Sequence, residues 1–237
     1  MAENDNIVSL SGAKIFRYTD GEKEWEAPYG EECIEQISAH IEKYVGEVDG
    51  VLHEIISDTV HIDIHHVPPT DEKPFHFLIT SGMSDLPMKV NGDPHDLRYA
   101  ELMVVLPPWW EMSSEAFKDE CWYWPFRELK FLARFPHKYD SWISYGHTLP
   151  NGDPAEPFAE NTKFSGVILL NPCHVPDEFL TLTIDEHKTI EFLAVIPLYT
   201  EEMNFKLRNG VDALLEKLIE HRVTDVIMVD RKNVVKK

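Results

Sequence analysis

The densest run of chemistry-bearing side chains is TVHIDIHHVPPT, Thr59 to Thr70, in which His61, Asp63, His65 and His66 fall within six positions. Imidazole and carboxylate are the donors of Zn, Fe and Mn sites, so the row His61, Asp63, His65 defines one reading, a metal-dependent hydrolase. The spacing weighs against it. On a strand, alternate residues share a face, which puts His61, Asp63 and His65 on one side and Val60, Ile62, Ile64 and His66 on the other. Residues two apart are separated by ~6.5–7 Å and residues four apart by twice that, whereas bonds from zinc to nitrogen or oxygen are ~2.1 Å. A flat strand does not bring three such ligands to one ion. The preferred reading is a sheet with one apolar face and one polar face that is solvated or covered by a partner.

Other catalytic templates are missing. There is no GxGxxG, no GxxxxGK[ST], no GxSxG elbow and no HExxH. Cys33, Cys121 and Cys173 are widely spaced, with no CxxC pair and no neighbouring histidine at a ligand-like interval, and read as buried thiols. Carboxylate pairs such as Glu31-Glu32, Asp185-Glu186 and Glu201-Glu202 read as solvated charge in caps and loops. No catalytic residue, metal or cofactor is expected.

Charge narrows the partner class. Lys plus Arg number 22 against 42 Asp plus Glu, a formal charge of -20, so the surface repels phosphate backbones and anionic headgroups and favours a basic protein. The start, MAENDNIVSL, has no positive n-region, and no run approaches the ~18 apolar residues of a membrane span. The expectation is a cytoplasmic protein that binds neither nucleic acid nor membrane.

The elements that must position these residues follow from periodicity. Residues 1–30 read as an arm with a short strand near Ile15–Tyr18. Ile34, Ile37, Ile41, Tyr44 and Val45 recur at helical spacing before Gly46. The period then becomes two over Val51–Ile56, Thr59–Val67, Pro74–Ser81 and Tyr99–Leu106. WPFRELKFLARFPHKYDSW predicts a helix with Pro125 near its first turn and Pro136 beyond its end. Strands resume at Phe164–Leu170, Leu180–Ile184, Thr189–Leu198 and Val226–Val229. Between the last two lies a helical stretch capped by Thr200 and interrupted at Asn209-Gly210. The tail RKNVVKK reads as basic and frayed. This pattern predicts an α+β domain with a mixed, mostly antiparallel sheet flanked by helices. Trp109, Trp110, Trp122, Trp124 and Trp142 cluster around the long helix, most of them as core; PPWW is a loop, so Trp109 or Trp110 is an interface candidate.

Several stretches together, FHFLITSGMSDLPM, RYAELMVVLPPWW, WPFRELKFLARFPHKYDSWISYGHTLPNGDP and FLAVIPLYTEEMNFKLRNGVDALLEKL, resemble the suppressor of fused family, in particular its single-domain bacterial members. The similar pieces include Gly82-Met83-Ser84-Asp85-Leu86, Glu101-Leu102, Glu128-Leu129 and Asn209-Gly210. The resemblance implies an arm over 1–30, a suppressor-of-fused-like domain over 31–233 and a basic tail over 234–237. It also implies a non-enzymatic protein-binding module, because the eukaryotic member sequesters Gli transcription factors. Bacterial members imply an immunity protein that occludes a toxin, a role that suits an acidic chain meeting a basic partner. Eukaryotic partner contacts include a tyrosine on the strand leading into the Gly82 motif, where this chain has Leu78. The partner-binding residues expected are therefore Leu78, Ser84, Asp85, Trp109, Trp110, His61, Asp63 and His65.

Overall fold

The computed structural model describes residues 7–18, 33–52, 60–90 and 98–236. The Glu31-Glu32 pair, the far part of the expected strand 51–56, and Thr59 lie outside the described residues. In chain order the elements are β1 (Ile7–Val8), β2 (Lys14–Ile15), α1 (Ile34–Tyr44), β3 (Gly50–Leu52), β4 (Asp63–Val67), β5 (His76–Ser81), β6 (Tyr99–Leu106), α2 (Glu120–Lys138), β7 (Thr148–Pro150), β8 (Gly166–Leu170), β9 (Thr181–Thr183), β10 (Thr189–Leu198), α3 (Thr200–Asn209) and α4 (Val211–Glu220).

Among the described residues, the main sheet has eight strands in the order β3-β4-β5-β6-β10-β8-β7, with β9 beside the start of β10. All its pairings are antiparallel except β6 with β10. Alternation along the strands builds two apolar faces. Ile64, Leu78, Leu102, Val104, Leu193 and Val195 face α2 through Trp124, Phe126, Leu129 and Leu132. Val67, Phe77, Ile79, Met103, Val105 and Phe192 face α1 through Ile37 and Ile41. Further along that second face, Ile168, Ala194 and Ile196 pack against Met203, Leu214 and Leu218 of α3 and α4. The sheet is therefore covered on both sides, which is why β6 reads as a continuous apolar run broken by one acid, Glu101.

Three expectations change. Pro136 is buried inside α2 rather than beyond it, because the turn continues past it: Tyr139 N–H donates to Phe135 O at 3.1 Å and Ser141 N–H to Pro136 O at 2.9 Å. Pro125 likewise lies within α2, and the Cys121 carbonyl four residues earlier takes the Asn161 side-chain amide instead, at 3.0 Å. The expected strand Val226–Val229 reduces to one bridge, Val226 to Val105, with Ile227 N–H donating to Val105 O at 2.9 Å. The β6–β10 pairing runs only to Met103, so room for a further chain exists only beyond it.

The described part of the tail, Arg231 to Lys236, is not frayed, and Glu202 is not solvated. Glu202 is fully buried and takes both arms of Arg231, at 2.7 and 2.6 Å. It also accepts from Tyr199 N–H at 3.0 Å and from Val234 N–H at 2.9 Å. Arg231 donates as well to Pro197 O at 2.8 Å and lies over the Phe164 and Tyr199 rings. A buried carboxylate needs this degree of pairing, and the result anchors the last residues to the start of α3, whose N-cap is Tyr199 rather than Thr200.

Candidate protein-binding surface

Glu101 organises one end of the sheet. Its carboxylate is fully buried, where β6 passes the end of β5. Oε2 accepts from Thr80 Oγ1 at 2.6 Å, and Oε1 accepts from Gly82 N–H at 3.0 Å, Ser84 N–H at 2.9 Å and Ser84 Oγ at 2.6 Å. Thr80 Oγ1 in turn accepts from Leu102 N–H at 2.8 Å. These bonds tie down the turn that follows β5, a 3-10 turn over Met83–Asp85 with Asp85 N–H donating to Gly82 O at 3.2 Å.

Gly82 is required there for two reasons. Its φ is +105°, and a Cβ at this position would lie 1.9 Å from the carbonyl oxygen of His61. From the other side, His137 near the end of α2 donates through Nε2 to Met83 O at 2.8 Å. Burial pushes the Glu101 carboxyl up to about 7, against the pull of Ser84 and Thr80, which favour the charged form. Glu128 on α2 is also raised to about 7 by burial, opposed by Arg127.

The expected contact residues divide into interior and surface. Leu78 is fully buried on the α2 face. Ser84 is fully buried and spends its hydroxyl on Glu101. Asp63 and His65 are 4% and 1% exposed, and His65 Nε2 bonds Ser81 Oγ at 2.9 Å across the β4–β5 pair. Trp110 is 3% exposed, with its indole N–H donating to Trp122 O at 3.0 Å. These five contribute packing and internal hydrogen bonds, so the polar face expected to be open to solvent or a partner is instead enclosed by the chain. His61, Asp85 and Trp109 reach solvent.

Those three do not form one patch. His61 lies at the same end of the sheet as the turn that carries Asp85, because its carbonyl packs against Gly82. Trp109 follows the opposite end of β6, beside the start of β5. The five residue steps from Glu101 to Leu106 put ~17 Å between the two ends. Nor does the histidine row converge on a metal position. His61 Nε2 pairs with Asp63 Oδ1 at 3.0 Å while His65 turns to Ser81, and among the described residues this row does not form a metal-sized group.

Sequence reasoning missed the organising role of Glu101. The signal was an acid in the middle of the apolar run of β6.

The family model for suppressor of fused protein matches residues 58–232. The chain belongs to the suppressor of fused family. No curated protein sequence matches it. Among solved structures, a suppressor of fused homologue from Neisseria gonorrhoeae aligns with a TM-score of 0.62 at 16% identity, over 86% of this chain and 97% of that one. A chain of the Sufu-Fu complex aligns with a TM-score of 0.59 at 13% identity, over 86% of this chain and 93% of that one. Drosophila Suppressor of Fused aligns with a TM-score of 0.50 at 13% identity, over 73% of this chain and 42% of its own length. At these identities the structural likeness speaks for the fold, a mixed, mostly antiparallel sheet flanked by helices as expected. The α+β class and the family thus hold together. No helix among the described residues is long and apolar enough to cross a membrane.

Proposed function

We propose that this protein is a non-enzymatic binding module that occludes a basic protein partner, in the manner of a bacterial cytoplasmic immunity protein that neutralises a toxin. The observation that carries the reading is membership of the suppressor of fused family, one solved member of which is held in a Sufu-Fu complex. The charge of -20 favours a basic partner over nucleic acid or an anionic membrane. The contact surface proposed is the sheet end that carries His61 and Asp85, which the Glu101 hydrogen bonds hold in a fixed shape before any partner arrives. Pre-set geometry of this kind lowers the ordering cost of association. Trp109, 51% exposed at the opposite end, is a separate anchor candidate.

The test is affinity purification from the native host with the wild type, Asp85→Lys and Trp109→Ala, followed by co-expression with the product of any neighbouring toxin gene. The reading expects a basic protein in stoichiometric amount, its recovery reduced at least ~10-fold by Asp85→Lys, and rescue of growth by the wild type. Absence of a stoichiometric partner and of rescue would reject it. A loss confined to Trp109→Ala would move the surface to the other end of the sheet.

A further inference from the structure

A second constellation lies apart from that surface. After β8 the chain runs Asn171-Pro172-Cys173-His174, and after α4 it runs Thr224-Asp225-Val226, with Val226 bridged to Val105 of β6. The two segments meet at Cys173, His174 and Asp225, one donor atom from each lying within 4.8 Å of the others. Among the described residues this is the one group of three His, Cys, Asp or Glu side chains so compact. Cys173 Sγ lies 3.1 Å from Asp225 Oδ1 and 3.6 Å from His174 Nδ1, and His174 Nδ1 also bonds Asp225 Oδ1. The carboxylate is oriented from behind by Cys173 N–H, which donates to Oδ2 at 2.9 Å. The imidazole packs against the Phe75 ring, centroids 4.8 Å apart. His174 follows Cys173 directly in the chain, and the third donor, Asp225, comes from the segment after α4.

Asp225 is 1% exposed, and among the described residues its ion-pair partner is His174 alone. A buried carboxylate with no Lys or Arg is a poor neighbour for a thiolate. The Asp225 carboxylate 3.1 Å from Sγ weighs against a nucleophilic cysteine. The geometry argues the same way. In a relay the acid orients the base from its far nitrogen, whereas here Asp225 Oδ1 faces the same Nδ1 that faces the sulfur. A cation among the three donors would offset the repulsion between the carboxylate and a thiolate.

We propose that Cys173, His174 and Asp225 bind one zinc-class divalent cation through Sγ, Nδ1 and a carboxylate oxygen, with the fourth tetrahedral position open to solvent. Bonds of ~2.3 Å to sulfur and ~2.0–2.1 Å to nitrogen and oxygen place tetrahedral donors ~3.3–3.6 Å apart. The sulfur–imidazole separation of 3.6 Å already matches this, and the Asp225 carboxylate must move away from both Cys173 and His174 to admit the ion. Cys173 loses its thiol proton to solvent on binding. His174 binds as the neutral ring, the proton it shares with Asp225 moving to Nε2, so one proton is released per cation and the filled site is neutral. Cys173 is exposed and the His174 side chain 26% exposed, which leaves the fourth position within reach of water or a partner's ligand. A bound ion would cross-link the segment after β8 to the segment after α4.

Cobalt(II) is the probe, added to the metal-free full chain. The expected result is one equivalent bound with a thiolate-to-cobalt charge-transfer band, weakening as pH falls. Cys173→Ser abolishes the band, His174→Ala lowers affinity at least ~10-fold, and Cys121→Ser leaves both unchanged. Zinc should raise the thermal midpoint of the wild type and not of Cys173→Ser. Because Cys173 is exposed, its variant tests the site even if Asp225→Asn fails to fold. No saturable binding, binding without the band, or a band that survives Cys173→Ser would overturn the proposal.

Discussion

Glu101→Gln tests whether the family motif is held by a buried carboxyl that changes charge near neutrality. The substitution keeps the shape. The amide oxygen can accept the bonds from Gly82 and Ser84, but the amide nitrogen replaces the oxygen that accepts from Thr80 Oγ1 at 2.6 Å, so one buried hydroxyl loses its acceptor. A lost bond of this kind costs about 1–3 kcal/mol. The pH dependence is more diagnostic. The carboxyl is raised from 4.5 to about 7 in the native state, so the native state holds the proton more tightly than the unfolded chain does. The stability it contributes is complete below about pH 4.5 and is lost as pH rises through about 7. At ~1.4 kcal/mol per tenfold change in proton affinity, the loss approaches about 3 kcal/mol. Urea unfolding of wild type and Glu101→Gln across this range gives a difference curve free of Glu128, which titrates in the same window in both proteins. It is also free of His147, lowered to about 4, which acts in the opposite sense: stability rises with pH between about 4 and 6.5. The expectation is that the variant is less stable at low pH and that the gap closes or reverses by pH 8. Parallel curves would refute the claim that the Glu101 carboxyl titrates in the native state.

Other outcomes follow from the same contacts. Gly82→Ala must move the His61 carbonyl or the turn, and is expected to cost more than about 2 kcal/mol in urea unfolding, with loss of any partner binding that depends on Asp85. Arg231→Met leaves Glu202 buried without its cation and is expected to cost about 3–5 kcal/mol, with limited proteolysis releasing the tail first. Trp110→Ala is expected to cost about 3–5 kcal/mol as a core deletion, and Trp109→Ala to stay within about 0.5 kcal/mol in the same assay. His61→Ala should leave metal content unchanged, because His61 pairs with Asp63 and not with His65.

The extents of β6 and β10 were legible as apolar runs buried on both faces and bounded by polar and turn residues. The α1 helix was legible from the helical spacing of Ile34, Ile37 and Ile41. What escaped were features decided by distant partners. Pro136 reads as a stop, yet the packing of α2 carries the helix past it. Glu202 reads as a helix-cap charge, yet Arg231 turns it into a buried ion pair 29 residues away. Asp225 draws no notice in the sequence, yet the Val226–Val105 bridge and the segment after β8 bring it to Cys173.

The same limit explains why family likeness identified the fold better than the contacts. The Gly82–Leu86 motif and Glu101 are separated in sequence but are one structure: Gly82 admits the His61 carbonyl, Ser84 supplies two donors, and Glu101 accepts them. A turn defined by such reciprocal contacts constrains its residue types whatever it binds. Ser84 is therefore spent inside the protein, whereas Asp85 of the same motif, and His61, reach solvent. Asp85→Lys is the sharper probe of recognition than any change to Ser84, because it alters the charge a partner meets while leaving the Glu101 hydrogen bonds intact.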